Sequence, residues 1–244
     1  MDQCEALTNQ YLAHRGFDEI IYEPSGKNPP DFLLNGRIAV EVRRLNQNEL
    51  TGSGFRDLEE VRIPTEARIR RLLVSLGSSS SGTSWFANYE IKRPVPAWDE
   101  IETELRERLE EFRDDENHQI PYVVKVPGVE IHVFHKASKP HSTFFVYGGG
   151  CDEDTGGSVF SETQKNLRLC IEKKTRQIAR VRHMYPEWWL VLVDYIGYGV
   201  EACDQKLFSE RLKIDHDWDK VILLNPLDPK CAFEVPSRQR TPIS

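Results

Sequence analysis

The segment Trp188-Trp-Leu-Val-Leu-Val-Asp194 constrains the fold of this chain more than any other. A strand with one wet face alternates apolar and polar residues, so an unbroken apolar run reads as a strand covered on both faces. Trp188 to Val193 is the longest apolar stretch in the sequence and is far too short for a membrane-spanning helix. Upstream, the basic stretch Lys165 to Arg182 reads as a helix, opened by a capping box at Ser161-Glu-Thr-Gln164 and stopped before Pro186. Downstream, a second helix near Asp204 to Leu212 leads to another buried strand, Lys220-Val-Ile-Leu-Leu224. That α-β-α-β order predicts adjacent parallel strands with a right-handed crossover, and hence an α/β fold.

The N-terminal end carries the chemistry. Pro30-Asp31-Phe32 runs through Asn35-Gly36 into Arg37-Ile-Ala-Val-Glu41-Val42-Arg43, which reads as a hairpin. Ile38, Val40 and Val42 alternate with Ala39, Glu41 and Arg43, so Glu41 and Arg43 project to one face. A two-residue turn at Asn35-Gly36 would pair Asp31 with Val40 and put it on the other face. A three-residue loop, Leu34-Asn35-Gly36, would pair Asp31 with Ala39 and bring it to the face of Glu41. Glycine suits the left-handed position of such a loop, and this register is the expected one. Two carboxylates beside a cation are what magnesium-dependent phosphodiester hydrolysis requires. Each residue alone reads more plainly: Asp31 as a strand-start residue, Glu41 and Arg43 as the wet face of an edge strand, Glu5 as a solvated helix charge.

Taken in order, these elements resemble the PD-(D/E)xK nuclease superfamily. Cys4 to Phe17 looks like its first helix, with Glu5 where many members carry an acidic residue; Asp18 to Glu23 follows as a strand, and then come Pro30-Asp31 and Glu41-Val42-Arg43. The resemblance covers roughly the first fifth of the chain. It implies a restriction-endonuclease-like mixed sheet flanked by helices, with a large insertion after the catalytic hairpin. It also implies that Asp31 and Glu41 hold Mg²⁺ or Mn²⁺, that Glu5 assists, that Arg43 meets the scissile phosphate, and that two copies pair to cut two strands. The motif lysine is replaced by Arg43, which cannot act as a base but can stabilise negative charge. Lys27 and Lys174 are candidates to fill the lysine's place. Two readings stay open: a metal-dependent endonuclease, or an inactive module on the same fold that binds nucleic acid or another protein. In the protein-binding version, Trp85, Phe86, Tyr89 and Trp98 form the docking surface.

Charged residues make up 29% and hydrophobic residues 39% of the 244 positions, the balance of a folded rather than a disordered chain. The net charge of −7 is segregated: Asp99 to Glu116 is an acidic helix, whereas Arg62 to Arg71 and Lys165 to Arg182 are basic. Lys173, Lys174 and Arg176 are the residues expected to touch a nucleic-acid backbone, DNA rather than RNA. The N-terminus lacks the basic and apolar regions of a signal peptide, and a cytoplasmic location with no membrane partner is expected. Five scattered cysteines are expected to be reduced and to bind no zinc. His132 and His135, three apart on a strand, are expected on opposite faces.

Three regions are expected: residues 1–50 with the first helix and hairpin, 51–160 as an inserted α+β elaboration, and 161–244 completing the core. Within the middle, Thr51 to Gly54 is a flexible break that could gate the hairpin. Pro64 opens a helix to Leu76, and Trp85–Lys92, Tyr122–Val126, Val129–Phe134 and Thr143–Tyr147 are strands. Gly148-Gly-Gly150 and Gly156-Gly157 frame a mobile acidic loop.

Overall fold

The structure is a computed structural model. It describes residues 1–237 apart from Ser53, Ser80, Ser81, Glu201 and Lys213, and it describes Lys27 and residues 202–204 in their backbone alone. The chain opens with α1 (Gln3–His14), β1 (Ile20–Tyr22), β2 (Pro24–Lys27), β3 (Phe32–Leu34), β4 (Ile38–Leu45), β5 (Asn48–Thr51) and β6 (Gly54–Asp57). It continues with α2 (Glu59–Ser75), β7 (Trp85–Ile91), α3 (Trp98–Asp114), β8 (Tyr122–Val126), β9 (Val129–Lys136) and β10 (Phe145–Asp152). It closes with α4 (Val159–Ile178), β11 (Glu187–Asp194), α5 (Ala202–Arg211), β12 (Lys220–Leu224) and β13 (Ala232–Glu234). These elements form two units, Met1–Phe55 with Gly157–Ser244, and Arg56–Gly156. Both are α/β.

The first unit is built on a six-stranded mixed sheet of order β1-β3-β4-β11-β12-β13. β11 lies parallel to both β4 and β12, while β1, β3 and β13 pair antiparallel with their neighbours. The apolar run of β11 is central and feeds two helical layers in alternation. Trp189, Val191 and Val193 pack with Val40, Val42, Phe32 and Leu34 against Tyr11 and Leu12 of α1. Trp188, Leu190 and Leu192 pack with Ala39 against Leu167, Cys170 and Ile171 of α4 and Phe208 of α5. Burial of each such side chain stabilises the fold by about 1.5–3 kcal/mol. Asp194 at the end of β11 is a loop residue: its carboxylate accepts the N–H groups of Ile196, Gly197 and Gly199.

α4 begins at Val159, and Ser158 makes no side-chain cap bond, so the Ser161 capping box does not form. Its position on the sheet is fixed by a buried amide pair instead. Asn166 Oδ1 accepts the backbone N–H of Asn48 at 2.9 Å and its Nδ2 at 3.1 Å, and Asn166 Nδ2 donates to the Glu162 carbonyl at 2.8 Å. Asn48 opens β5, which pairs with β6 in a two-stranded ribbon. Of the expected flexible break, Thr51 ends β5 and Gly54 opens β6, while Ser53 lies outside the described residues.

The second unit carries a four-stranded sheet of order β10-β7-β9-β8. Trp85, Ala87, Tyr89 and Ile91 alternate inward and meet Ile69 and Leu73 of α2 and Trp98, Ile101, Leu105 and Phe112 of α3. Trp85, Tyr89 and Trp98 are therefore core residues and do not form a docking surface: strand alternation turns Trp85 and Tyr89 inward, and Trp98 is buried at the start of α3. Gly148 to Gly150 belong to β10 and not to a loop. A Cβ at Gly150 would stand 2.1 Å from the Tyr89 ring, and one at Gly148 would stand 2.5 Å from Asn88 Oδ1, so these glycines let two strands close. α2 starts five residues before Pro64, which sits inside the helix. A bulge between Phe86 and Ala87 sets His132 opposite Asn88 and His135 opposite Phe86, which share a face. His132 and His135 consequently lie on one face, contrary to simple alternation.

Candidate active site

The hairpin turn decides what meets Glu41. Phe32 pairs with Val40, Leu33 with Ala39 and Leu34 with Ile38, so the loop is Asn35-Gly36-Arg37. Asn35 and Gly36 take the left-handed conformation, with φ of 49° and 64°, and Arg37 N–H closes onto the Leu34 carbonyl at 2.9 Å. Asn35 fits the first of these because its side chain is held: its Oδ1 accepts Glu19 N–H at 3.0 Å. The loop is thus displaced by one residue from Leu34-Asn35-Gly36, and the register carries Asp31 toward Glu41 rather than Ala39. The face is the expected one, since both registers keep the same parity.

Asp31 Oδ2 accepts the backbone N–H of Val42 at 2.7 Å, which fixes its carboxylate beside β4. Glu41 is 2% exposed, lying between β3 and β11 under α4. An edge-strand reading does not apply to it, because β11 pairs along the whole of β4.

The cation between the two carboxylates comes from α4. Lys174 Nζ donates to Glu41 Oε2 at 2.6 Å and stands 3.9 Å from Asp31 Oδ2. Glu41 Oε1 is buried and has no hydrogen-bond partner among the described residues. Burial raises the pKa of both carboxyls. Lys174 opposes this at each, Val42 N–H opposes it at Asp31, and the Asp31 charge adds to the rise at Glu41.

Arg43 stands apart from this trio. Its guanidinium lies beside the buried thiol of Cys170 and 5.5 Å from the centre of the Phe55 ring. Glu5 is close enough for its charge to be felt at Asp31. Its own bonds, however, go to the Asp2 N–H at 2.6 Å and the Tyr22 hydroxyl at 2.8 Å, completing the capping box of α1. Lys173 points to the Phe55 ring at 5.1 Å, and Arg176 pairs with Glu172 on its own helix. The structure thus brings together Asp31, Glu41 and Lys174 and separates Lys174 from Lys173 and Arg176. The side chain of Lys27 lies outside the described residues.

Tyr22 and the Asn48–Asn166 pair also support the site, and neither is marked in the sequence. Asn48 and Asn166 are 118 residues apart, and no local pattern links them.

The donor set suits a hard divalent cation. It offers oxygen ligands only, one of them an unspent buried carboxylate oxygen, and two anionic groups against one ammonium. In the second unit, Glu90, Glu130 and His132 also place one donor atom each within 4.8 Å of one another, with Lys125 paired to Glu130 at 2.9 Å. Among the described residues no helix is long and apolar enough to cross a membrane. No protein-family model, curated protein or solved structure matches this chain.

Proposed function

We propose that this chain is a metal-dependent nuclease with a restriction-endonuclease-like core, of the PD-(D/E)xK type, whose lysine is delivered by a helix. The observation that carries the reading is the position of Lys174, 2.6 Å from Glu41 and 3.9 Å from Asp31. An aspartate at the mouth of a hairpin, a glutamate on its second strand and a lysine are the three groups the chemistry needs. Here the third has moved from the strand to α4, which answers the substitution by Arg43. The order of helix, hairpin and crossover strands around a mixed sheet supports the same assignment.

Asp31 and Glu41 would hold Mg²⁺ or Mn²⁺. When bound, such an ion polarises a phosphoryl oxygen and makes water a better nucleophile at neutral pH. The chain's own part is positional and electrostatic. Lys174, with three rotatable donors on a flexible stem, stabilises the charge that builds on the phosphoryl oxygens. Arg43, always protonated, adds positive potential without taking part in proton transfer. Glu5 acts through Tyr22 and the α1 cap, as a positioning residue.

The test is cleavage of plasmid and of single-stranded DNA with Mg²⁺ or Mn²⁺. Lys174→Ala should lower the rate by about 10²-fold or more, as loss of a group that stabilises a transition state does. Arg43→Ala should cost less. Wild-type rates in Lys174→Ala, or no cleavage by the wild type with either ion, would overturn the reading in favour of an inactive binding module.

A further inference from the structure

The ribbon β5–β6 and α4, the helix that carries Lys174, line a groove of about 340 Å³. That volume lies in the range of about 300–1,000 Å³ typical of clefts that hold ligands. Its wall is apolar at Leu50, Phe55 and Leu169 and cationic at Lys173 and Arg176. Leu50 is 70% exposed. Lys173 and Arg43 stand 5.1 and 5.5 Å from the centre of one ring, that of Phe55. Among the described residues lining the groove Glu172 is the one acid, and Arg176 pairs with it.

Sequence adjacency ties this groove to the site. Lys173 precedes Lys174 on α4, and Arg43 follows Glu41 by two residues on the same face of β4. A chain of positive groups therefore runs from the carboxylates past an aromatic platform.

The geometry points to a groove for single-stranded nucleic acid, with an unpaired base stacked on Phe55 and the flanking phosphates on Lys173 and Arg176. This inference rests on the reading of the neighbouring site as one that takes nucleic acid. The choice of single strand follows from the aromatic wall. Cations alone would serve any phosphate backbone, but a ring can stack only on a base whose face is free, and in a duplex both faces are covered. Leu50 and Leu169 extend the apolar platform, and Lys173 and Arg176 leave the backbone exposed to bulk salt, so binding should be strongly salt-dependent.

The experiment is fluorescence anisotropy with the full chain at low salt in EDTA. The probes are a short fluorescein-labelled strand of mixed sequence and the same sequence as a blunt duplex. The wild type should bind the single strand about tenfold more tightly than the duplex. Phe55→Leu, which keeps apolar bulk but removes the ring, should weaken single-strand binding about tenfold and leave duplex binding unchanged. Phe55→Tyr should retain it, and serves as the control for folding of the hairpin. Lys173→Ala should weaken both and reduce the salt slope by about one. Equal affinity for the two probes, no binding of either, or no effect of Phe55→Leu would overturn the proposal. A cleavage assay in Mg²⁺ separates it from the catalytic reading. A wild type that cuts nothing yet binds single strands through Phe55 removes hydrolysis and leaves the groove. One that cuts duplex with no preference for single strands removes the groove and leaves hydrolysis.

Discussion

Lys174 Nζ lies 2.6 Å from Glu41 Oε2, although 133 residues separate the two in sequence. The Glu41 side chain is 3% exposed and that of Lys174 14%, so the pair is held away from bulk water. Removal of one partner from such a pair leaves an uncompensated charge and costs more than the pair contributes. Lys174→Met should destabilise the first unit by about 3 kcal/mol, and the double variant Lys174→Met with Glu41→Leu should recover most of the loss. Urea unfolding followed by hydrogen exchange of β4 and β11 amides reads this directly. Wild-type protection in Lys174→Met would show that the ion pair carries no structural role.

The pH dependence follows from burial. Glu41 and Asp31 are held above the ordinary carboxylate range chiefly by desolvation, against the pull of Lys174. Between about pH 4, where an unfolded carboxyl titrates, and the raised values, the folded chain binds more protons than the unfolded one. Stability therefore declines as pH rises through that window, and the loss is fully present above it. Asp31→Asn keeps an oxygen for the Val42 N–H and abolishes the titration. It should be more stable than the wild type at pH 7, with the difference vanishing below about pH 4. A difference that does not change with pH would assign the effect to something other than the Asp31 charge.

A divalent cation should reverse that penalty. Mg²⁺ or Mn²⁺ should raise the melting temperature of the first unit, with about 2.7 kcal/mol of stabilisation at a hundredfold excess over Kd. Binding should weaken toward acid, because the ion competes with protons on carboxyls that hold them tightly. Asp31→Ala and Glu41→Ala should abolish it. Calorimetry on the three proteins decides the matter, and undiminished binding in either variant would place the ion elsewhere.

Asn166→Ala should cost about 1–3 kcal/mol by leaving the Asn48 N–H buried without an acceptor. Since the pair anchors the helix that carries Lys174, cleavage should fall while calorimetric metal affinity stays within a factor of two or so. Loss of both together would mean that the core, and not the helix alone, had shifted.

In the second unit, Gly150→Ala should destabilise by about 1–3 kcal/mol, as overpacking does. The added methyl would meet the Tyr89 ring, which is anchored through its hydroxyl to Glu66 at 2.7 Å. Thermal unfolding checks it; a neutral result would mean that β10 can move away from β7.

What the sequence makes readable here is whatever has a short period. Glu41 and Arg43 share a face because a strand repeats every two residues, and Trp188 to Val193 is buried on both sides because it has no polar alternation. The loop moves one residue toward Arg37, with Asn35 in the left-handed state, so the pairing register shifts by two residues and keeps Asp31 on the face of Glu41. Lys174 is one of two candidates, with Lys27, that the sequence offers for the motif lysine, and the packing of α4 over β4 sets it beside both carboxylates. Its neighbour Lys173 has the same chemistry and points to Phe55 instead. Gly148 to Gly150 read as a loop because glycine is common in loops, whereas here small size lets β10 lie against Asn88 and Tyr89. Likewise His132 and His135 obeyed no simple alternation, since one bulge cancels it.

The parallel pairing of β4 with β11 also governs when the protein can mature during synthesis. β4 ends at Leu45 and β11 begins at Glu187, so the hairpin bearing Asp31 and Glu41 leaves the ribosome long before its central partner exists. At about 5–20 residues per second, roughly 7–30 seconds pass before the sheet can close. During that interval one edge of β4 is open, and Lys174 emerges only near its end. The two carboxylates thus wait on Lys174 and β11 before the trio can assemble, a delay set by topology alone.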